Sequence, residues 1–336
     1  MREAMFWEEA GEGRVRCKLC AHRCLIPAGG RGVCMVRENR GGKLYSLVYG
    51  RLVSQALDPV EKKPLFHFLP GTGTLSIATV GCNFRCDFCQ NYEISQFPRE
   101  HGGRIVGEEV EPQEIVEAAK ETQARSISYT YTEPTIFFEF CRDTGTLAAK
   151  EGLKNIFVTN GYMTEEALEE AKGWLHAANV DLKSFSEDFY RRFCGASLQP
   201  VLDTIRRMWE AGIWVEVTTL VIPGRNDSEA ELRWIAEFLA GISPDIPWHV
   251  SRFVPAYKVW DIPPTPVSTL RKAREIGLSA GLHFVYMGNV PGEGEDTFCP
   301  SCGKVLIKRY GFYVLKKDLQ EGHCPHCGAA IPGVWI

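Results

Sequence analysis

The chain reads as an α/β protein in which a cysteine-rich head and a cysteine-rich tail flank a central run of β/α units. Three observations predict this. Between residues 71 and 290, short β-branched apolar runs alternate with stretches of helical periodicity, the pattern of a parallel sheet covered by helices. The length, 336 residues, exceeds the size at which one core keeps growing, so a large domain with smaller modules is expected. All of the 13 cysteines except Cys141 and Cys194 fall into compact groups at the two ends and at one loop, which divides the chain into 1–70, 71–290 and 291–336.

The head carries Cys17, Cys20, Cys24 and Cys34, with His22 as a possible substitute ligand and a turn at Gly29-Gly30-Arg31-Gly32. These cysteines suit a zinc ion or an auxiliary iron–sulfur cluster, against reduced structural thiols. Asp58-Pro59-Val60-Glu61-Lys62-Lys63-Pro64 is polar, contains two prolines and reads as a loop or connector.

The core offers strands at Ser76–Val80, Ser126–Tyr131, Asn155–Thr159, Ala178–Lys183, Trp214–Ile222 and Trp248–Phe253. Helices are expected near 112–123, 135–150, 164–176, 198–211, 228–240 and 267–280. The helix at 228–240 shows the logic. Ser228 and Glu231 form a capping box. Leu232, Ile235, Ala236 and Leu239 share one face, and Gly241 is expected to close the end in the left-handed conformation. A partial (β/α)6 barrel of TIM type and a flat doubly wound sheet both satisfy this alternation.

The tail holds two matching knuckles, Cys299-Pro300-Ser301-Cys302-Gly303 and Cys324-Pro325-His326-Cys327-Gly328, separated by strand-like residues. Four thiolates at this spacing predict a zinc-ribbon-like module, with a rubredoxin-like single iron as the alternative.

The loop after Leu75–Val80 carries the chemistry. Cys82, Cys86 and Cys89 are spaced C-x3-C-x2-C. A [4Fe–4S] cluster normally takes four thiolates, so three close cysteines leave one iron open to bind a ligand directly. A zinc site is the bland alternative, because C-x2-C is common there. In a parallel β/α barrel the loops after each strand gather on one face. That face would collect Thr132, Glu133, Asn160, Asp181 and Lys183. Blander roles exist for each: Glu133 as a helix cap, Asn160-Gly161 as a turn, and Asp181 with Lys183 as a local ion pair.

The cysteine loop, with its preceding strand and with Phe88 before the third cysteine, resembles the radical S-adenosylmethionine (radical SAM) superfamily. The resemblance implies a partial (β/α)6 barrel in which the open iron chelates the amine and carboxylate of S-adenosylmethionine. It also implies reductive cleavage of that cofactor to methionine and a 5′-deoxyadenosyl radical, with Phe88 near the adenine. Thr159-Asn160-Gly161, Asp181-Leu182-Lys183 and Ile222-Pro223-Gly224 resemble the pyruvate formate-lyase activating enzyme branch. The head, Glu61-Lys62-Lys63-Pro64-Leu65, Gly81–Asn91, Thr130–Phe138 and the tail knuckles are more similar still to the AmmeMemoRadiSam-system radical SAM proteins, over essentially the whole chain. The glycine-glycine-glutamate motif of the activating enzymes is replaced by Thr132-Glu133-Pro134, which makes Glu133 or Thr132 the expected contact to the methionyl amine.

A net charge of −4 with interspersed signs argues against nucleic acid or an anionic membrane as partner. No apolar run reaches the length of a membrane span. The acidic start lacks a signal-peptide core, so a reducing cytoplasmic location is expected. The expected function is that of a radical SAM enzyme abstracting hydrogen from a protein, peptide or small molecule, supplied with electrons by a ferredoxin or flavodoxin. Glycyl-radical enzyme activation and a catalytically silent, metal-dependent regulatory role are the alternatives.

Overall fold

The computed structural model describes residues 1–335. At its centre is an eight-stranded sheet: β1 (Ser54–Pro59), β2 (Gly73–Ala78), β3 (Ser126–Tyr129), β4 (Lys154–Thr159), β5 (Ala177–Asp181), β6 (Trp214–Val221), β7 (Trp248–Arg252) and β8 (Val285–Gly288). Spatial order follows chain order from β1 to β8. Every neighbouring pair is parallel except β1 with β2. A doubly wound sheet reverses direction at a switch point. This sheet never reverses, so the order is that of a barrel left open between β1 and β8.

The six expected strands appear within a few residues of their sequence positions. The helices α1 (Pro112–Glu121), α2 (Phe138–Lys150), α3 (Glu165–Ala171), α4 (Gln199–Glu210), α5 (Glu229–Ile242) and α6 (Val267–Ser279) alternate with them. Leu232, Ile235, Ala236 and Leu239 of α5 are buried as their spacing dictates. Two details of α5 differ from expectation. Ser228 Oγ accepts the Glu231 N–H at 3.3 Å, but the Glu231 carboxylate bonds Ser184 Oγ and the Phe185 N–H instead of closing the box. Gly241 lies inside the helix, which ends at Ser243 in an extended conformation, so no left-handed cap forms.

The connector expectation is also corrected. Ser54–Pro59 is β1, and Val60–Lys62 forms one 3₁₀ turn. Pro64 to Leu69 then plugs the strand-start end of the barrel. The Asn179 side chain donates to the Pro64 carbonyl at 2.8 Å, and Glu216 accepts from the N–H groups of Phe66 and His67. Leu65, Phe68 and Leu69 pack with Ile156, Ala177 and Trp214.

The head forms two three-stranded antiparallel sheets, one from Trp7–Glu9, Val15–Cys17 and Leu25–Ile26, the other from Arg2–Glu3, Arg37–Arg40 and Lys43–Ser46. It docks through Phe6 against Phe138, edge to face at 5.5 Å, and through the buried Arg37–Glu139 pair. The tail is a three-stranded antiparallel unit, β9 (Thr297–Phe298), β10 (Val305–Tyr310) and β11 (Tyr313–Lys317). Its Leu306, Ile307 and Ile331 pack on Phe66, Phe284 and Tyr286 beside the open edge strand β8. Among the described residues no helix is long and apolar enough to cross a membrane.

Candidate active site and metal centres

The strand-end loops converge on a cleft of about 400 Å³. Cys82, Cys86 and Cys89 line it together with Phe88, Thr132, Glu133, Asn160, Asp181 and Lys183. The cysteine loop is held by its neighbours: the Arg85 N–H donates to the Cys194 carbonyl and the Asp87 N–H to that of Phe193. The Phe84 N–H points at Cys82 Sγ at 3.3 Å, and Ser95 Oγ lies 3.2 Å from Cys89 Sγ. Burial pushes the Cys82 and Cys89 thiols above their ordinary range, so they would ionise on binding a cation rather than in its absence.

Glu133 is 2% exposed and occupied on both oxygens. Oε1 accepts from Thr135 N at 3.0 Å, Thr135 Oγ1 at 2.5 Å and Thr159 Oγ1 at 2.7 Å, and Oε2 accepts from Asn160 N at 2.7 Å. The cap reading therefore describes part of its role, and the remainder ties the loop after β3 to the loop after β4. Burial raises its pKa despite these donors. Thr132 Oγ1 donates to the Thr79 carbonyl at 3.0 Å. Asn160 Nδ2 donates to Asn83 Oδ1 at 2.7 Å and lies 3.9 Å from Cys82 Sγ. Asp181 and Lys183 pair at 2.9 Å. Burial alone would lower the Lys183 pKa, yet Asp181 and the sulfurs of Cys86 and Cys194 hold it well above its ordinary value. Phe88 is buried against Phe189, with ring centroids 5.7 Å apart.

Several cleft residues lie outside the sequence reading. Asp58 accepts from Lys63 at 2.6 Å, from Lys62 at 2.8 Å and from the Tyr131 hydroxyl. Burial would raise the Asp58 pKa, but the two lysines and the phenol hold it well below the usual carboxylate range. Lys62, Lys63 and Tyr131 all line the cleft. The signal was present as charges beside a proline, which also reads as an exposed connector. Phe312, at the tip of the tail hairpin, reaches the cleft. Cys194, which lies outside the cysteine groups of the sequence, sits within hydrogen-bonding reach of the Cys86 thiol.

In the tail, Cys299, Cys302, Cys324 and Cys327 gather their sulfurs within 4.8 Å of one another. Cys299 lies 3.6 Å from Cys327, and Cys302 lies 3.7 Å from Cys324. Four sulfurs at about 2.3 Å from one tetrahedral ion stand about 3.8 Å apart, so the spacing is that of a single-metal site. Burial pushes the Cys299 thiol up, but the N–H groups of Cys302 and Ser301 and the adjacent thiols bring it down to about 7.

In the head, Cys17, Cys20, Cys24 and Cys34 border one enclosed pocket. His22 also borders it, but its Nε2 bonds the Asn83 carbonyl at 2.8 Å, which removes that nitrogen from the ligand set expected for it.

The radical SAM superfamily model matches residues 76–235. The uncharacterized protein MJ0808 of Methanocaldococcus jannaschii is 47% identical over 335 residues, covering 98% of this chain and 99% of its own. A putative glycyl-radical enzyme activating enzyme of the same organism is 25% identical over 227 residues, covering 64% of this chain and 79% of its own. A radical SAM methyltransferase structure from Sphaerobacter thermophilus superposes with a TM-score of 0.52 at 16% identity, over 66% of this chain and 67% of that one, a likeness of fold.

Proposed function

The chain belongs to the radical SAM superfamily, and from that membership we propose that it cleaves S-adenosylmethionine reductively to abstract hydrogen from a second substrate. The observation that carries the reading is the convergence of Cys82, Cys86 and Cys89 with polar strand-end side chains on one cleft. The donor set fits a three-cysteine [4Fe–4S] cluster. Three thiols face one space, sulfur receives an N–H from Phe84, and the buried Nδ2 of Asn83, beside Cys82, has no partner. Bound there, the cluster would supply one electron to the sulfonium, releasing methionine and a 5′-deoxyadenosyl radical.

The chain's own residues do the rest. Asp181 and Lys183 present opposite charges to the zwitterionic methionyl group. Asn160 and Thr132 offer polar contacts to ribose or amine, and Phe88 offers an apolar face to adenine. Glu133 fixes the Thr159–Gly161 turn from beneath. The connector from Lys62 to Pro64 floors the cleft and Phe312 reaches it from the tail, so the substrate sits in a partly closed, water-poor space. A peptide or protein backbone is one substrate class. The 25% likeness to a putative glycyl-radical enzyme activating enzyme supports a glycine residue within that class. The tail binds zinc in this reading, and a ferredoxin or flavodoxin supplies the electron.

The test is spectroscopic. The anaerobically reconstituted, dithionite-reduced protein is expected to show an iron–sulfur paramagnetic signal that changes shape when S-adenosylmethionine is added. An unchanged signal at saturating cofactor contradicts an open iron in the cleft.

A further inference from the structure

The head holds a second buried cysteine set whose geometry differs from that of the tail. Cys17 ends the strand Val15–Cys17, Cys20 and Cys24 lie on the turn leading to Leu25–Ile26, and Cys34 lies on the loop before Arg37–Arg40. With Arg37 and Ile136 they border an enclosed pocket. The frame around it is fixed: the Cys17 N–H donates to the Cys24 carbonyl at 2.9 Å, Cys20 bridges to Met163 on the barrel, and the Val33 N–H points at Cys24 Sγ at 3.5 Å.

Arg37 supplies the independent observation. It is 2% exposed. Its Nη2 serves the Met5 carbonyl at 2.5 Å and Glu139 at 3.0 Å, while Nε and Nη1 have no partner. Buried guanidinium N–H groups without acceptors are costly, so the pocket is built for something electron-rich.

A single tetrahedral ion fits poorly. Among the described residues, the group with ligand atoms all within 4.8 Å of one another is the tail's. The head sulfurs share one pocket yet stand wider than a single ion draws them. A cube places each thiolate on a different iron and tolerates that spread, and its sulfides accept N–H donors.

We propose that Cys17, Cys20, Cys24 and Cys34 hold a second, fully ligated [4Fe–4S] cluster, with Arg37 donating to its sulfur. The head site abuts the cleft loop. A Cβ placed on Gly81 would stand 3.1 Å from the Cys34 carbonyl oxygen. Arg99 bridges the carbonyls of Val33, at 2.6 Å, and Cys82, at 3.0 Å. The two cysteine sets are therefore joined through backbone contacts, a placement suited to one-electron exchange. The proposal does not depend on turnover in the cleft.

Acid-labile sulfide decides it, because neither zinc nor a rubredoxin-like iron in the tail contributes any. The full wild-type chain, reconstituted anaerobically, is expected to bind about eight sulfides. The Cys82→Ala/Cys86→Ala/Cys89→Ala variant is expected to retain about four, with four irons and a visible absorption that dithionite bleaches. Adding Cys20→Ser and Cys24→Ser is expected to abolish them, with circular dichroism confirming the fold. A triple variant that binds no sulfide, whether or not it binds extra zinc, overturns the proposal whatever the wild-type count.

Discussion

Glu133 was legible as a strand-end acid, and a capping role was legible from its place as an acid at the start of the next helix. Its bonds to Thr159 Oγ1 and the Asn160 N–H were not, because those partners come from the next β/α unit. Glu133→Gln places an amide where only acceptors serve and leaves a buried donor unpaired. The expected cost is about 1–3 kcal/mol in denaturant unfolding. S-adenosylmethionine titrations are expected to weaken while iron content is unchanged; unaltered binding would remove Glu133 from the cofactor map. Cys194 is the other residue that sequence spacing could not place, since only the fold sets it beside Cys86. Two ligands of one cube sit on different irons, further apart than neighbouring thiols in mutual contact. Cys194→Ala is therefore expected to keep the full iron complement of the cleft, measured by iron and sulfide analysis of the variant.

The six central strands and their helices were legible because each is a short apolar run followed by helical periodicity, a local pattern. β1 and β8 were not. In β1, Leu57 is half exposed and Asp58-Pro59 looks like punctuation, so only pairing with β2 makes it a strand. Val285–Gly288 is four residues long and runs into a turn at Asn289. The connector that follows β1 owes its course to buried polar partners rather than to periodicity. Asp58 and Lys63 are 7% and 1% exposed in side chain, and their pairing fixes the floor of the cleft. Asp58→Asn leaves the lysine charge buried without its counterion, with an expected loss of about 3–5 kcal/mol by chemical denaturation. The double variant Asp58→Leu/Lys63→Met is expected to recover most of it. Equal damage from both variants would show that packing, not charge, holds the connector.

At the scale of the whole molecule, the tail's metal spacing was readable from its knuckles, but its attachment to the barrel was not. His67 is the joint. Its Nδ1 donates to the Pro332 carbonyl at 2.7 Å, so its neutral Nε2 accepts from the Tyr286 hydroxyl at 2.6 Å. Glu216, Arg309 and His249 are the charged or titratable groups acting on it, besides Tyr286. Burial pushes the His67 pKa down to about 4 against a favourable pull from Glu216. A lowered folded-state value means that its contribution is fully present above its ordinary pKa of 6.5 and is lost as pH falls through about 4. Protection factors in residues 297–335, with the intrinsic pH dependence of exchange removed, are therefore expected to fall as pH drops between those values, and His67→Gln is expected to flatten the dependence. The central claim concerns the cleft, and one assay tests it most directly: 5′-deoxyadenosine formed from S-adenosylmethionine under anaerobic reduction. The wild-type chain is expected to produce it, and the Cys82→Ala/Cys86→Ala/Cys89→Ala variant to produce none. Equal production by both proteins, or none from an iron-replete wild type that binds S-adenosylmethionine, would contradict the account.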